Sequence, residues 1–144
     1  MPSIHRSALV EQSAERMFDL VNDVVSYPSR FSWCDAAEVI EESDERMVAR
    51  LDLGLGALHT WFKTENLLRR PSRIDMQLRD GPFKRLHGIW EFQPLDDNAC
   101  KVGLTLDFEP SSPLLGPVFK LGFQSLADRM VNDFVRVASQ SAGH

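Results

Sequence analysis

The chain has 144 residues, 43% hydrophobic and 26% charged, with a net charge of −5; these are the proportions of one folded domain over residues 1–144. That acidity argues against non-specific binding of DNA or RNA, because releasing phosphate counterions needs a basic surface, although a local basic contact stays open. Cys34 and Cys100 are the only cysteines and form no C-x-x-C, so neither a disulfide framework nor a zinc site is expected.

Ile4 to Glu11 alternates weakly and reads as an opening strand, with an alternation too weak to fix which parity faces inward. Ser13 is the expected N-cap of a helix, with Glu15 in its first turn, where the helix dipole favours an anion. Ala14, Met17, Phe18, Val21, Val24 and Val25 form its apolar stripe at three- and four-residue spacing, and Pro28 is expected to end it. Tyr27 to Trp33 follows as a short turn or helix rich in aromatics. Val39-Ile40 and Met47 to Leu55 form a hairpin across Glu42-Ser43-Asp44-Glu45. In its second arm Met47, Ala49, Leu51, Leu53 and Leu55 point one way, and Arg50, Asp52, Gly54 and Gly56 the other.

His59 to Leu68 is the next strand; Lys63 and Glu65 should face water, which puts Thr60, Phe62, Thr64 and Asn66 inside. Arg69-Arg70-Pro71-Ser72 turns the chain into Ile74, Met76 and Leu78. Asp80-Gly81-Pro82-Phe83 turns it into Leu86, Gly88, Trp90 and Phe92. Pro94 to Asn98 is a polar turn, followed by Val102, Leu104, Leu106 and Phe108 in alternation with polar or small residues. The final helix, Pro113 to Ser139, starts either at Pro117 or with a separately hinged first turn, because Gly116-Pro117 sits where a helix interior would break. Its apolar residues include Val118, Phe119, Gly122, Phe123, Leu126, Met130, Phe134 and Val137, more than one narrow face. The expected fold is α+β of the helix-grip kind. A curved antiparallel sheet of about seven strands wraps a long C-terminal helix, with two short helices after the first strand.

Catalytic signals are missing. His5, His59, His87 and His144 fall on different elements, with no second histidine or carboxylate at ligand spacing, and are read as surface residues. Gly54-x-Gly56 lies inside a strand and opens no helix, and no G-x-S-x-G, Walker or H-E-x-x-H motif occurs. Cys34 has no activating base and reads as a small buried residue. Met1 to Arg6 contains no apolar run, so no signal peptide is expected. Leu114 to Phe123 is too short to span a bilayer and is broken by Lys120. A cytoplasmic location follows, with peripheral contact at the inner membrane as its extension.

The binding features are apolar. Phe62, Met76, Leu78, Leu86, Trp90, Leu104, Leu106 and Phe108 share the inner parity, and the last helix adds Phe119, Phe123, Leu126 and Met130. A solid core would use the same residues. Three features favour a pocket: Gly88 removes volume between Leu86 and Trp90; Thr60, Thr64 and Asn66 place polar groups inside; Tyr27, Phe31 and Trp33 read as a lid. Phe83 is expected to join this lining, and the segment from Pro110 to Pro117 to act as a flap opposite the lid. Arg69 and Arg70, and separately Lys84 and Arg85, form basic turns suited to phosphate, a lipid headgroup or RNA.

Asn22-Asp23-Val24, Ser26-Tyr27-Pro28 and Trp33-Cys34 resemble the first signature of the coenzyme Q-binding START-like family, within the polyketide cyclase/dehydrase superfamily. Asp80 to Leu86, Gly88, Trp90, Phe92, Pro94-Leu95, Cys100 and Asp107-Phe108-Glu109 resemble its central block, and Met130-Val131 with Phe134 its C-terminus. The chain departs at Arg30, Ser32 and Pro110, where the family usually has an aromatic, a proline and an aromatic. The resemblance implies a cavity for ubiquinone or another isoprenoid or lipid, supporting respiration without catalysis or a required cofactor. It also implies a rival role, binding the large ribosomal subunit and blocking subunit association. A cyclase-like enzyme ranks third, since fold membership does not transfer chemistry.

Overall fold

The computed structural model describes residues 3–112, 114 and 116–142. Its elements are β1 (Ser3–Val10), α1 (Ala14–Asn22), a 3-10 turn (Val24–Ser26), α2 (Tyr27–Arg30), β2 (Cys34–Glu42), β3 (Arg46–Leu55), β4 (Leu58–Arg69), β5 (Arg73–Asp80), β6 (Phe83–Asp96), β7 (Ala99–Pro110) and α3 (Gly116–Ala142). The seven strands form one antiparallel sheet in the order β1-β7-β6-β5-β4-β3-β2. Consecutive strands from β2 to β7 are neighbours because two- and three-residue turns return the chain beside itself. Helix α3 packs on the inner face, as the helix-grip pattern requires.

Local chemistry explains the boundaries. The Ser13 hydroxyl accepts from the Arg16 amide at 3.1 Å and starts α1. The helix stops at Asn22, earlier than its apolar stripe suggests. Asp23 leaves helical geometry with φ −82° and ψ 65°, and its carboxylate accepts from Ser26 Oγ at 2.8 Å. Val24 is therefore buried while Val25 is 64% exposed. Pro28 does not terminate this helix; it lies in the first turn of α2, where its missing N–H costs nothing.

Strand β2 is much longer than the Val39-Ile40 pair marks, because irregularities between Cys34 and Ala36 and between Val39 and Glu41 disturb its alternation. Strand β6 runs through Pro94 to Asp96, so the polar turn shrinks to Asp97-Asn98, with the Asn98 amide donating to Asp96 Oδ1 at 2.7 Å. In β1 the even positions face inward: Ile4 and Val10 are buried, and Arg6 pairs with Asp128 of α3. Helix α3 is described from Gly116, with Pro117 in its first turn. Pro113, expected at the helix start, lies outside the described residues.

The core has two aromatic centres along α3. Phe134 meets Tyr27, Phe31, Trp33 and Trp90, with ring centroids 4.8 to 6.3 Å apart. Nearer the start of α3, Phe83 meets Phe62, Phe119 and Phe123, and Phe123 also packs on Phe108. Gly122 lets α3 approach β4 closely, since a Cβ there would stand 2.7 Å from that of Leu58. Against the sequence expectation, Val118 faces outward at 38% exposure. Among the described residues no helix is long and apolar enough to cross a membrane.

Candidate functional site

Between the two aromatic centres lies a cavity of about 40 Å³. The inner face of the sheet lines it in steps of two: Ala49, Leu51 and Leu53 on β3; Phe62, Thr64 and Asn66 on β4; Ile74 and Met76 on β5; Trp90 on β6; Leu106 on β7. Val21 and Asn22 of α1, with Val24 and Tyr27, close one side, and Phe123, Leu126 and Met130 of α3 the other. An engineered cavity that binds benzene measures roughly 150 Å³, so this space is too small for a quinone ring without rearrangement.

Of the residues assigned to a pocket from sequence, Tyr27, Phe62, Thr64, Asn66, Met76, Trp90, Leu106, Phe123, Leu126 and Met130 are brought together here. The others lie elsewhere. Phe31 and Trp33 do not form a lid: they stack 4.9 Å apart beneath Phe134, and the Trp33 indole donates to Asp133 at 3.0 Å. A buried aromatic plug is the more stable use of these rings, since each removes a large apolar area from water. Phe83, Phe108 and Phe119 belong to the second aromatic centre. Leu86 is buried in the sheet, and Leu78 reaches an open crevice with Lys84, Arg85 and His87. Gly88 opens no void, because its space is taken by Met76 and Leu106; a Cβ would stand 2.5 Å from Met76 Cε and 3.0 Å from Leu106 Cδ2. The Thr60 hydroxyl is enclosed and has no partner among the described residues, but it does not reach the cavity.

Ala49, Leu51, Leu53 and Ile74 complete the lining and share the inward alternation of their neighbours, a signal present in the sequence. Val21 and Val24 belong to the apolar stripe read for the first helix, but only the docking of α1 over the sheet brings them and Asn22 to the cavity. The jaw expected from Pro110 to Pro117 has no partner in Phe31 or Trp33. Ser111 donates its amide to Pro82 O at 3.0 Å, while Pro113 and Leu115 lie outside the described residues.

The polar chemistry of the cavity is confined to one pair and its surroundings. Thr64 and Asn66 are 7% and 6% exposed, and the Thr64 hydroxyl donates to Asn66 Oδ1 at 2.8 Å. The Tyr27 hydroxyl donates to Val21 O; burial, then the nearby Cys34 and Asp23, push its pKa well above the usual phenol range despite Arg30. Tyr27 therefore stays protonated. No histidine, carboxylate, lysine or arginine is in the described lining.

Outside it, His87 is not isolated as its sequence position implies. Its Nε2 lies 2.8 Å from Asp75 Oδ1 across β5 and β6, and Arg73 approaches the same carboxylate at 3.3 Å. Burial raises the Asp75 pKa, but the hydrogen bonds from His87 and Arg73 outweigh it and hold the carboxyl below its ordinary range. Among the described residues no cluster of metal-ligating side chains forms. Arg70 is committed to α1 through two hydrogen bonds to Asp19, at 2.9 and 2.8 Å, which removes it as a ready headgroup contact. Arg69 and Lys84 are exposed, and Arg85 has only Glu109 among the described residues, 3.9 Å away.

Cys34 and Cys100 are free and buried. Burial pushes the Cys34 thiol up to about 11 and raises Cys100 as well. Little thiolate exists near neutral pH, so both thiols should react with Ellman's reagent at least tenfold more slowly in the native protein than in urea. Rapid native labelling of either one would contradict its burial.

The profile of the family described as "Polyketide cyclase / dehydrase and lipid transport" matches residues 10–135. The chain is 46% identical over 143 residues, 99% of both chains, to the protein named ribosome association toxin RatA of Vibrio cholerae. It is 28% identical to the mitochondrial coenzyme Q-binding protein COQ10 of Drosophila melanogaster, over 96% of this chain and 59% of that one. The crystal structure of the Zhui aromatase/cyclase from a Streptomyces species superposes with a TM-score of 0.84 at 18% identity, covering 97% of this chain and 94% of the other. That last likeness establishes the START-like fold alone. With a profile match across most of its length, this chain belongs to the polyketide cyclase/dehydrase and lipid transport family.

Proposed function

We propose that this protein associates with the ribosome, engaging the large subunit and opposing its union with the small one, as a stoichiometric binder. The observation that carries this reading is the 46% identity, end to end, to a protein named a ribosome association toxin. It reverses the order suggested by the sequence, where ubiquinone or lipid binding came first. The relative named for coenzyme Q is more distant, and a cavity of about 40 Å³ admits no isoprenoid chain without rearrangement. The test is sedimentation of purified protein with ribosomal subunits in a sucrose gradient at low salt. Co-migration with the large subunit and a smaller associated-ribosome peak support the proposal. Protein remaining at the top of the gradient refutes it.

A second reading, binding of a small hydrophobic molecule, is favoured by one observation. The cavity is lined mostly by apolar side chains, with the buried Thr64–Asn66 pair among them.

A further inference from the structure

Resting on the ribosome reading, we infer that a split between β5 and β6 is a contact site for an unpaired RNA nucleotide, its base seated in the split and its phosphates held at the rim. The pairing of these two strands ends early: their ladder stops at Gln77 opposite His87. Beyond it, Leu78 and Asp80 pair with β4 alone, and Phe83, Arg85 and Leu86 with β7 alone. The hairpin therefore opens before its turn. Each strand has one extra residue in this stretch, Arg79 in β5 and Lys84 in β6, and such a bulge bends its strand and re-aims a side chain. Packing holds the opening from both sides. A Cβ on Gly81 would stand 3.0 Å from Trp61 O of β4, and Phe83 is buried against Phe119 and Phe123 of α3.

The crevice at the split measures about 400 Å³, within the roughly 300–1,000 Å³ of sites that hold small molecules. Its lining divides by chemistry. Leu78 and Leu86 offer apolar surface to the face of a base, and the Gln77 amide offers both a donor and an acceptor to a base edge. Lys84 is exposed, and Arg85 has Glu109 no nearer than 3.9 Å, so two cations stand at the rim for the phosphates of a passing strand. Arg79 is committed elsewhere, 2.9 Å from Glu65. His87, held by Asp75, marks the closed end where the ladder resumes. A duplex cannot use such a site, because its bases are paired and stacked; loops and bulges of folded RNA present bases that splay out. An acidic protein segment would engage the two cations and leave the apolar surface and the amide idle.

The test is fluorescence anisotropy at low salt with a labelled single-stranded RNA of about twelve nucleotides, the span of one single-strand site. Unlabelled competitors of equal charge are the same strand, the same strand without its bases, and poly-glutamate. The intact strand should compete about tenfold better than the other two, because seating a base adds that much beyond its phosphates. In direct titrations Lys84→Ala should weaken the intact and abasic strands alike and lower the slope of log affinity against log salt by about 0.7. Gln77→Leu, at an exposed position, should weaken the intact strand about fivefold and leave the abasic strand and the salt slope unchanged. Failure of the labelled strand to bind, equal competition by intact and abasic strands, or an unaffected Gln77→Leu each overturns the nucleotide site. Equal competition by poly-glutamate overturns it too and gives the crevice to an acidic protein segment. No ribosomes are present in this assay, so its outcome is separate from sedimentation. Protein that moves with the large subunit yet shows no preference for the intact strand keeps the ribosome reading and loses this inference; protein left at the top of the gradient removes that reading whatever the strand does.

Discussion

Phe134→Ala should cost about 3–5 kcal/mol of stability, the largest single loss expected in this chain. Phe134 is fully buried, and four rings from α2, the turn after it and β6 close on it: Tyr27, Phe31, Trp33 and Trp90. Alanine would remove the centre of that cluster. The rings around it cannot collapse into the gap, because Trp33 is tethered to Asp133 and Tyr27 to the backbone of Val21. Against a usual total of about 5–15 kcal/mol, such a loss leaves the protein near its unfolding threshold. Urea denaturation followed by tryptophan fluorescence checks it: the midpoint should fall sharply with little change in slope. Leu121→Ala, on the same helix but 66% exposed, should change stability by no more than about 0.5 kcal/mol. Similar losses at the two positions would show that α3 is not anchored through its aromatic face.

The second large effect concerns binding. Replacing Lys84 and Arg85 together by glutamate should abolish co-sedimentation with the large subunit at low salt. Both lie beside the crevice between β5 and β6, and neither has a close counterion among the described residues; the nearest, Glu109, is 3.9 Å from Arg85. Their charge is therefore free to meet phosphate. Single alanine substitutions should each lower the slope of log affinity against log salt by about one, as expected when one fewer phosphate is neutralised. Arg70 makes a poorer test, because reversing its charge would also break its pair with Asp19. Were the double variant to sediment like the parent, the contact would lie on another face, and the acidic remainder of the surface would point to a protein partner on the subunit.

Alternation with a period of two, read from Ala49-x-Leu51-x-Leu53 and Phe62-x-Thr64-x-Asn66, was enough to place the inner face of the sheet, on which most of the residues around the cavity lie. The Ser13 cap and the apolar spacing of α3 were equally legible. These features depend on neighbours within one turn or one strand, which is the range over which a sequence pattern carries information. Other features depended on distant parts of the chain. The bulges of β2, the filling of Gly88 by Met76 and Leu106, and the pairing of His87 with Asp75 each need two strands in register. Tyr27, Phe31 and Trp33 look like an exposed aromatic turn until Phe134, far along the chain, arrives to bury them. Whether apolar side chains enclose a pocket or fill it is decided by how volumes from several elements interlock, and no local pattern records that sum. The sequence by itself determined which residues of the strands face inward; only the tertiary structure decided that they nearly close the space between α3 and the sheet.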